Sequence, residues 1–261
     1  INGLRSEPQT TFLESLGIEV LGPLYFHTDY LSDIKETIEQ VWISRIDVAR
    51  QAVQLLQPLL ADIPIVFDTV DLHHVRMERE EKLRNGYGRS QQVKRHEIDM
   101  SNRSEKVIVV SEEERKVLEG LTSTPVHVIS NIHLLKGETR LPPHNHRAAF
   151  VGSFQHTPNI DAVNWFVEEV LPLVVAEIPD FEFWIIGDHA PESILKLDSP
   201  PVFVKGWVKD LDALLDHMRL NIAPLRFGAG VKGKISHALA LGLPTVTTSV
   251  GAEGMNLTNS E

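Results

Sequence analysis

The sequence contains no cysteine. Disulfides and thiolate metal sites are thereby excluded, and the composition suits a reducing compartment. No apolar run approaches the ~20 residues that span a bilayer. The opening residues do not read as a secretory leader, so a cytoplasmic location is expected. A basic balance is lacking too. Lys and Arg number 25 against 36 Asp and Glu, a net charge of −11, which excludes broad nucleic-acid binding. One shortage is local: the 36 residues from His217 to Ala252 hold no Asp or Glu, where about five would fall by chance. Arg219, Arg226, Lys232 and Lys234 are the basic residues in that stretch.

What is present points to a packed α/β chain. Hydrophobic content of 42% and charged content of 23% are those of a soluble globular protein, and 261 residues suit one large or two ordinary domains. Short, nearly unbroken apolar runs alternate with helical periods, the pattern of parallel strands covered on both faces. Candidate strands are IEVL (18–21), VWIS, PIVF, KVIVV and VHVI, then AAFVG, FEFWIIG, VFVKG, LNIAP and PTVTT. Helices are predicted over 7–16, 46–60, 111–121, 159–176 and 230–241, with Asn159 as a helix cap. The run from Val75 to Glu105 is dense in charge and reads as a solvated helix pair broken at Asn85–Gly88.

The polar stretch 131–149, with Pro142 and Pro143, has no period and marks a linker. The expected organisation is a first Rossmann-like domain over 1–135, a linker over 136–147 and a second Rossmann-like domain over 148–261. A cleft lies between them. A strand before the first helix and helices after the last strand are expected to complete such a fold.

The stretch RFGAGVKGKIS, 226–236, admits several ligands. Gly228, Gly230 and Gly233 match a dinucleotide fingerprint, but the following strand ends in Thr and Ser, without a ribose-binding acid. Glu253 lies beyond that strand. Gly228, Gly233 and Lys234 match a P-loop, yet Ile235 stands where the Mg²⁺-holding hydroxyl belongs. The third reading rests on charge. Lys232 and Lys234 fall in the first turn of a helix, where a cation opposes the helix dipole at about 0.3–1 kcal/mol each. A phosphate or diphosphate docked on the free N–H groups would reverse that penalty. Val231, Ile235 and Leu239 give the helix a buried stripe, and Gly242 ends it. Three more strands run into turns at Gly152-Ser153, Gly187 and Trp207-Val208, and a parallel sheet puts all such turns on one edge.

Taken in order, FVGSFQHTPNIDAVNWF, FEFWIIGDHAP, VFVKGWVKDLDALL and NIAPLRFGAGVKGKISHALALGLPTVTTSVGAEGM resemble the donor domain of group 1, family-four glycosyltransferases of the GT-B fold. The match covers roughly 148–255, and VSEEERKVL, VISNIH and VFDTVDLHHVRMERE are similar to parts of the family's first domain. The resemblance implies a nucleotide-sugar donor in the second domain and a glycan, lipid-linked or small-molecule acceptor at the first. It implies retaining transfer, no bound metal and no cofactor beyond the donor itself. It places Gly228, Gly230, Lys232 and Lys234 at the diphosphate, Trp207 and Val208 at the base, and Gly152, Ser153 and Gly187 along the same edge. The family's ribose-binding glutamate corresponds here to His237, and the glutamate eight residues before it to Ala229. That leaves open a sugar-nucleotide epimerase or hydrolase, a non-catalytic binder, and more distantly an NAD dehydrogenase.

Near the end of PIVF stand Asp68, Asp71, His73 and His74. His73 and Asp71 are the candidate catalytic residues, orienting an acceptor or polarising its hydroxyl. Asp68 reads also as a turn former. The histidines at 144 and 146 read as solvated loop, and no metal site is expected. Peripheral attachment to the inner face of a membrane stays open with lipid-linked acceptors, although no strongly basic amphipathic helix is present.

Overall fold

A computed structural model describes residues 7–21, 28–56, 62–135 and 143–257. Its first half opens with α1 (Glu7–Ser15) and α2 (Thr28–Ile34). It continues as β1 (Val41–Ser44), α3 (Ile46–Leu56), β2 (Ile65–Asp68), α4 (His73–Arg84), α5 (Ser90–Asn102), β3 (Lys106–Val109), α6 (Glu112–Glu119) and β4 (Val126–Val128). The four strands form one parallel sheet in the order β1-β2-β3-β4.

The second half runs β5 (Arg147–Val151), α7 (Thr157–Trp165), a π-helical turn (Phe166–Val170), α8 (Leu171–Glu177), β6 (Glu182–Ile186), α9 (Glu192–Leu195) and β7 (Val202–Gly206). It ends with α10 (Leu211–Leu215), β8 (Leu220–Ala223), α11 (Gly233–Ala240), β9 (Thr245–Thr247) and α12 (Ser249–Ala252). Its parallel sheet has the order β7-β6-β5-β8-β9. The chain goes one way from β5 and returns to β8 on the other side, so the switch point lies between those strands, where a doubly wound sheet opens a crevice. Both sheets are parallel, as expected for the GT-B fold. Among the described residues no helix is long and apolar enough to cross a membrane.

Each sheet has its own core. Phe67, Val107, Val109 and Leu118 are fully or almost fully buried in the first. In the second, Phe150, Phe183 and Ile185 are sealed by α7 and α8, with the Phe166 and Phe183 rings 4.5 Å apart. Apolar side chains leave both faces of β5 and β6, which is why those runs do not alternate.

Several sequence expectations change. Ile18–Leu21 is not a strand: after Gly17 it runs as irregular chain, with Ile18 47% and Leu21 42% exposed and no ladder partner among the described residues. Among the described residues the first sheet therefore has four strands, not five. The helix expected over 46–60 is described to Leu56; 57–61 lie outside the described residues, as does 136–142 of the expected linker. β5 begins at Arg147, inside the expected linker. His156, not Asn159, precedes α7, and Asn159 lies within the helix. The helix expected over 230–241 starts at Gly233, because Gly230 (φ 65°) and the extended Lys232 keep the chain out of helical geometry. Val231 thus precedes the helix, and its buried stripe is Ile235, Ala238 and Leu241, with Leu239 exposed.

The turn after β6 is packed against the turn after β5. A β-carbon on Gly187 (φ 155°) would lie 1.9 Å from the Gly152 carbonyl oxygen, a backbone atom that cannot step aside. Gly187→Ala is expected to cost at least about 1–3 kcal/mol. Gly233 has open space around its α-carbon, so Gly233→Ala is expected to stabilise by about 0.4–1 kcal/mol through the unfolded chain. Urea denaturation of the two variants checks the contrast.

Candidate functional site

The C-terminal edges of the two sheets meet, and the expected site residues lie along that seam. Gly230 presses on the first half: a β-carbon there would be 3.0 Å from Asp71 Cβ and 3.3 Å from Val110 Cγ2. One on Gly254 would be 2.7 Å from Ser111 Cβ. Asn131 donates to the Val231 carbonyl at 3.4 Å, and Thr157 to Glu80 at 3.4 Å. Arg79, from α4, spans the seam to the Gly228 carbonyl (2.7 Å) and to Glu253 (2.5 and 2.7 Å).

Both lysines turn inward. Lys232, 8% exposed, precedes α11, and its ammonium donates to the Gly230 carbonyl. Burial lowers its pKa, outweighing the attraction of Glu253. Lys234 reaches over the β5 turn. Its Nζ donates to Asn159 Oδ1, sits 4.2 Å from the centre of the Phe150 ring, and lies where a β-carbon on Gly152 would be 2.7 Å away. Burial, and then the Lys232 charge, bring it from the ordinary 10.5 down to about 7. Gly152 leaves room for this ammonium, which occupies the space a side chain there would take. Asn159 completes the cradle, donating to the Ser153 carbonyl at 2.6 Å while accepting from Lys234.

Farther along this edge, Gly187 donates its N–H to the Gly206 carbonyl (2.8 Å). Trp207 is 70% exposed, whereas Val208 packs inward against the cluster of Ala149, Ile186 and Leu215. His237 is held by Asp212, Nε2 to Oδ1 2.7 Å, and its ring stacks on His133 at 6.4 Å and 15°. His133 belongs to the first half, so this stack also crosses the seam.

On the first half, the loop between β2 and α4 is fixed by two buried carboxylates from elsewhere in the chain. Glu97 on α5 accepts from the backbone N–H groups of His73 (2.8 Å) and His74 (3.3 Å) and contacts His74 Nδ1 at 2.5 Å. It thereby caps α4, whose own preceding residue, Leu72, offers no side-chain cap. Glu114 accepts from Leu72 N (2.9 Å) and Val110 N (3.4 Å). Burial raises its pKa, and these two N–H groups oppose the rise. The charged run 75–105, expected to be a solvated pair, is thus partly internal: Glu97 is 1% exposed. The pattern of charge alone does not distinguish a carboxylate facing water from one facing bare N–H groups.

The four polar residues after PIVF divide into two pairs. Asp68 forms the turn, accepting from Val70 N (3.0 Å) and Ser44 Oγ (3.1 Å), and His74 serves Glu97. Asp71 and His73 face the seam. Asp71 Oδ2 accepts from Arg76 at 2.8 Å, and Oδ1 lies 3.0 Å from His73 Nε2. Burial works to raise the Asp71 pKa, but His73 and Arg76 prevail and hold it below the usual carboxylate value. His73 is 4% exposed, and its Nε2, misaligned with Asp71, has no hydrogen bond among the described residues. His156, across the seam, has its pKa lowered by burial and by the nearby Arg76 and Arg45 charges.

Sequence reasoning did not find Arg76, Arg79, Glu97, Glu114 or Asn159 as site residues. The one signal for Glu114 was the S-x-x-E spacing from Ser111. Ser111 does cap α6, accepting from Glu114 N at 3.3 Å, but the Glu114 carboxylate turns away to Leu72 and Val110.

The Lys234 geometry makes stability depend on pH. Between about pH 7 and 10.5 the unfolded chain holds the proton that the folded site gives up, so stability gained through this group rises with pH across that window. Lys234→Met removes the mismatch. The difference in melting temperature between this variant and the wild type is expected to favour the variant at pH 7 and to shrink toward pH 10, measured by calorimetry.

Comparison with known proteins places this geometry. Residues 145–259 match the family described as Glycosyl transferases group 1. An uncharacterized 44.6 kDa protein in the cps region of Klebsiella pneumoniae is 27% identical over 173 residues, 62% of this chain and 44% of that protein. The chain thus spans less than half the length of that relative. Among solved structures, S. aureus TarM, in a complex with fondaparinux, α-GlcNAc-glycerol and UDP, superposes with a TM-score of 0.66. Identity is 16%, covering 84% of this chain and 44% of TarM. Anabaena HepE with UDP-glucose gives 0.67 at 16% identity, covering 96% of this chain and 72% of HepE. Sucrose-phosphate synthase from Thermosynechococcus elongatus gives 0.64 at 15%, covering 90% and 63%. The chain has the two-sheet GT-B fold that these structures share, and its residues 145–259, less than half of it, resemble the group 1 glycosyltransferase family.

Proposed function

We propose that the protein to which this chain belongs transfers a sugar from a nucleotide-diphosphate-sugar to a glycan, lipid-linked or small-molecule acceptor, with retention and without a bound metal. The observation that carries the reading is the inward pair of Lys232 and Lys234 at the start of α11, in a stretch free of acids. Two buried cations at the positive end of a helix are unfavourable alone, and a diphosphate would satisfy both. The Klebsiella relative's cps-region label favours a role in polysaccharide assembly.

In the transfer, the bond from the sugar's anomeric carbon to the diphosphate oxygen breaks and one to the acceptor oxygen forms. The acceptor's proton passes to the departing phosphate oxygen. Lys232, Lys234 and the free N–H groups of α11 stabilise the charge that develops on that phosphate. Asp71 and His73 border the same space from the first half. His73 orients the acceptor hydroxyl through Nε2, the nitrogen beside which Asp71, anchored by Arg76, stands at 3.0 Å without an aligned hydrogen bond. Trp207 is open to stack on the base, and His237, tethered by Asp212, takes the place beside the ribose.

UDP or GDP is expected to raise the melting temperature, by about 2.7 kcal/mol of stabilisation at a hundredfold excess over the dissociation constant. Lys232→Ala is expected to lose the shift. His73→Ala is expected to keep it and lose transfer, with the anomeric configuration of the wild-type product read by NMR and turnover unaffected by EDTA. Donor consumption without an acceptor would favour an epimerase or hydrolase, and binding without turnover a non-catalytic role.

Proton uptake gives a separate check. A diphosphate beside Lys234 raises a pKa that starts at about 7, so the complex at pH 8 holds more protons than its parts. Titration calorimetry in buffers of different ionisation enthalpy is expected to show net uptake for the wild type and much less for Lys234→Met.

A further inference from the structure

Arg79 reads in sequence as one charge among many on a helix surface. In the structure its guanidinium makes its hydrogen bonds with the other half. Its hydrogen-bond partners, Gly228 and Glu253, stand 149 and 174 residues further along the chain, one in the loop after β8 and the other just past α12. One fork of nitrogens therefore ties the loop after β8 and the end of α12 to α4. Lysine cannot reproduce this, since a single ammonium cannot serve a carboxylate in parallel and a carbonyl as well. Arg79 and Glu253 side chains are 31% and 30% exposed, so bulk water screens them only in part.

Gly228 is more than an anchor point. It opens the loop that carries Gly230 and leads into Lys232, and a β-carbon on it would lie 3.2 Å from Lys232 Cε. The lysine stem therefore lies against the backbone whose carbonyl Arg79 holds. Glu253 occupies the Arg79 charge, whereas Lys232 and Lys234 donate to neutral oxygens.

We propose that Arg79 is a positioning residue for the diphosphate site: it fixes the Gly228 carbonyl from the opposite half and so sets the seat of Lys232. Nucleotide affinity then depends on a residue that touches no nucleotide, and the grip on the diphosphate is coupled to the joining of the two halves. The proposal rests on the diphosphate reading of α11 given above.

UDP titrations of the full-length protein test it, with GDP as the second probe and with Arg79→Met, Arg79→Lys, Glu253→Gln, the Arg79→Met/Glu253→Gln double variant and Lys234→Met. Arg79→Met is expected to weaken UDP binding about tenfold, a usual size for coupling between separate parts of a protein. Arg79→Lys is expected to weaken it similarly, since the fork is lost while the charge remains. The double variant is expected to bind no worse than Arg79→Met, because the two residues act as one unit. A merely structural clasp would lower the melting temperature and leave the affinity of the folded protein alone. Affinity within about twofold of wild type in folded Arg79→Met overturns the proposal, provided Lys234→Met weakens binding. If Arg79→Met does not fold, Arg79→Lys is read by the same criterion. Undiminished binding by Lys234→Met overturns the diphosphate reading instead, and a wild type that binds neither UDP nor GDP overturns both.

Discussion

Two ammonium groups kept from water at the beginning of one helix set the terms for the rest of the molecule. Burial works against each charge, the helix dipole adds to the cost, and each lysine is repelled by the other. The fold tolerates this because neutral oxygens receive both groups: the Gly230 carbonyl and the Asn159 amide. A carboxylate in either place would have settled the charge permanently. The acid-free run from His217 to Ala252 leaves the lysines partnered by dipoles, which hold them in place and leave their charge unneutralised.

The first half is organised by the opposite device. There, buried carboxylates meet bare backbone N–H groups, Glu97 at the start of α4 and Glu114 at the turn before it. Both come from helices other than the one they steady, so α4 and its approach are placed by α5 and α6. Asp71, His73 and Arg79 all ride on that placement. The left-handed backbone at Val70 (φ 63°), unusual for a β-branched residue, lies in the same fixed loop. Strain of this kind persists where surrounding bonds over-determine the chain.

The parallel sheets, nine of the ten candidate strands and the edge that gathers the glycine turns were legible in sequence, since unbroken apolar runs and strand-end glycines report a covered parallel sheet directly. The tenth, Ile18–Leu21, has the composition of a strand and lacks only a neighbour to pair with among the described residues, which composition cannot reveal. The lysines were legible through the missing acids around them. Arg79 and Glu97 were not, because a charge on a helical period looks the same whether it meets water or a partner 174 residues away. Asn159 showed the right kind of residue for a helix cap and serves instead as the amide between Lys234 and Ser153.

Phe150 belongs at once to the core of the second sheet and to the floor under the Lys234 ammonium. Aliphatic residues of similar bulk could fill its volume, but none offers the electron-rich face that a cation rests on. Hydrophobic interiors ordinarily drift among equivalent fillings over evolutionary time. At this position the fillings are not equivalent, because the same ring supports both the packing of the core and the charge of Lys234.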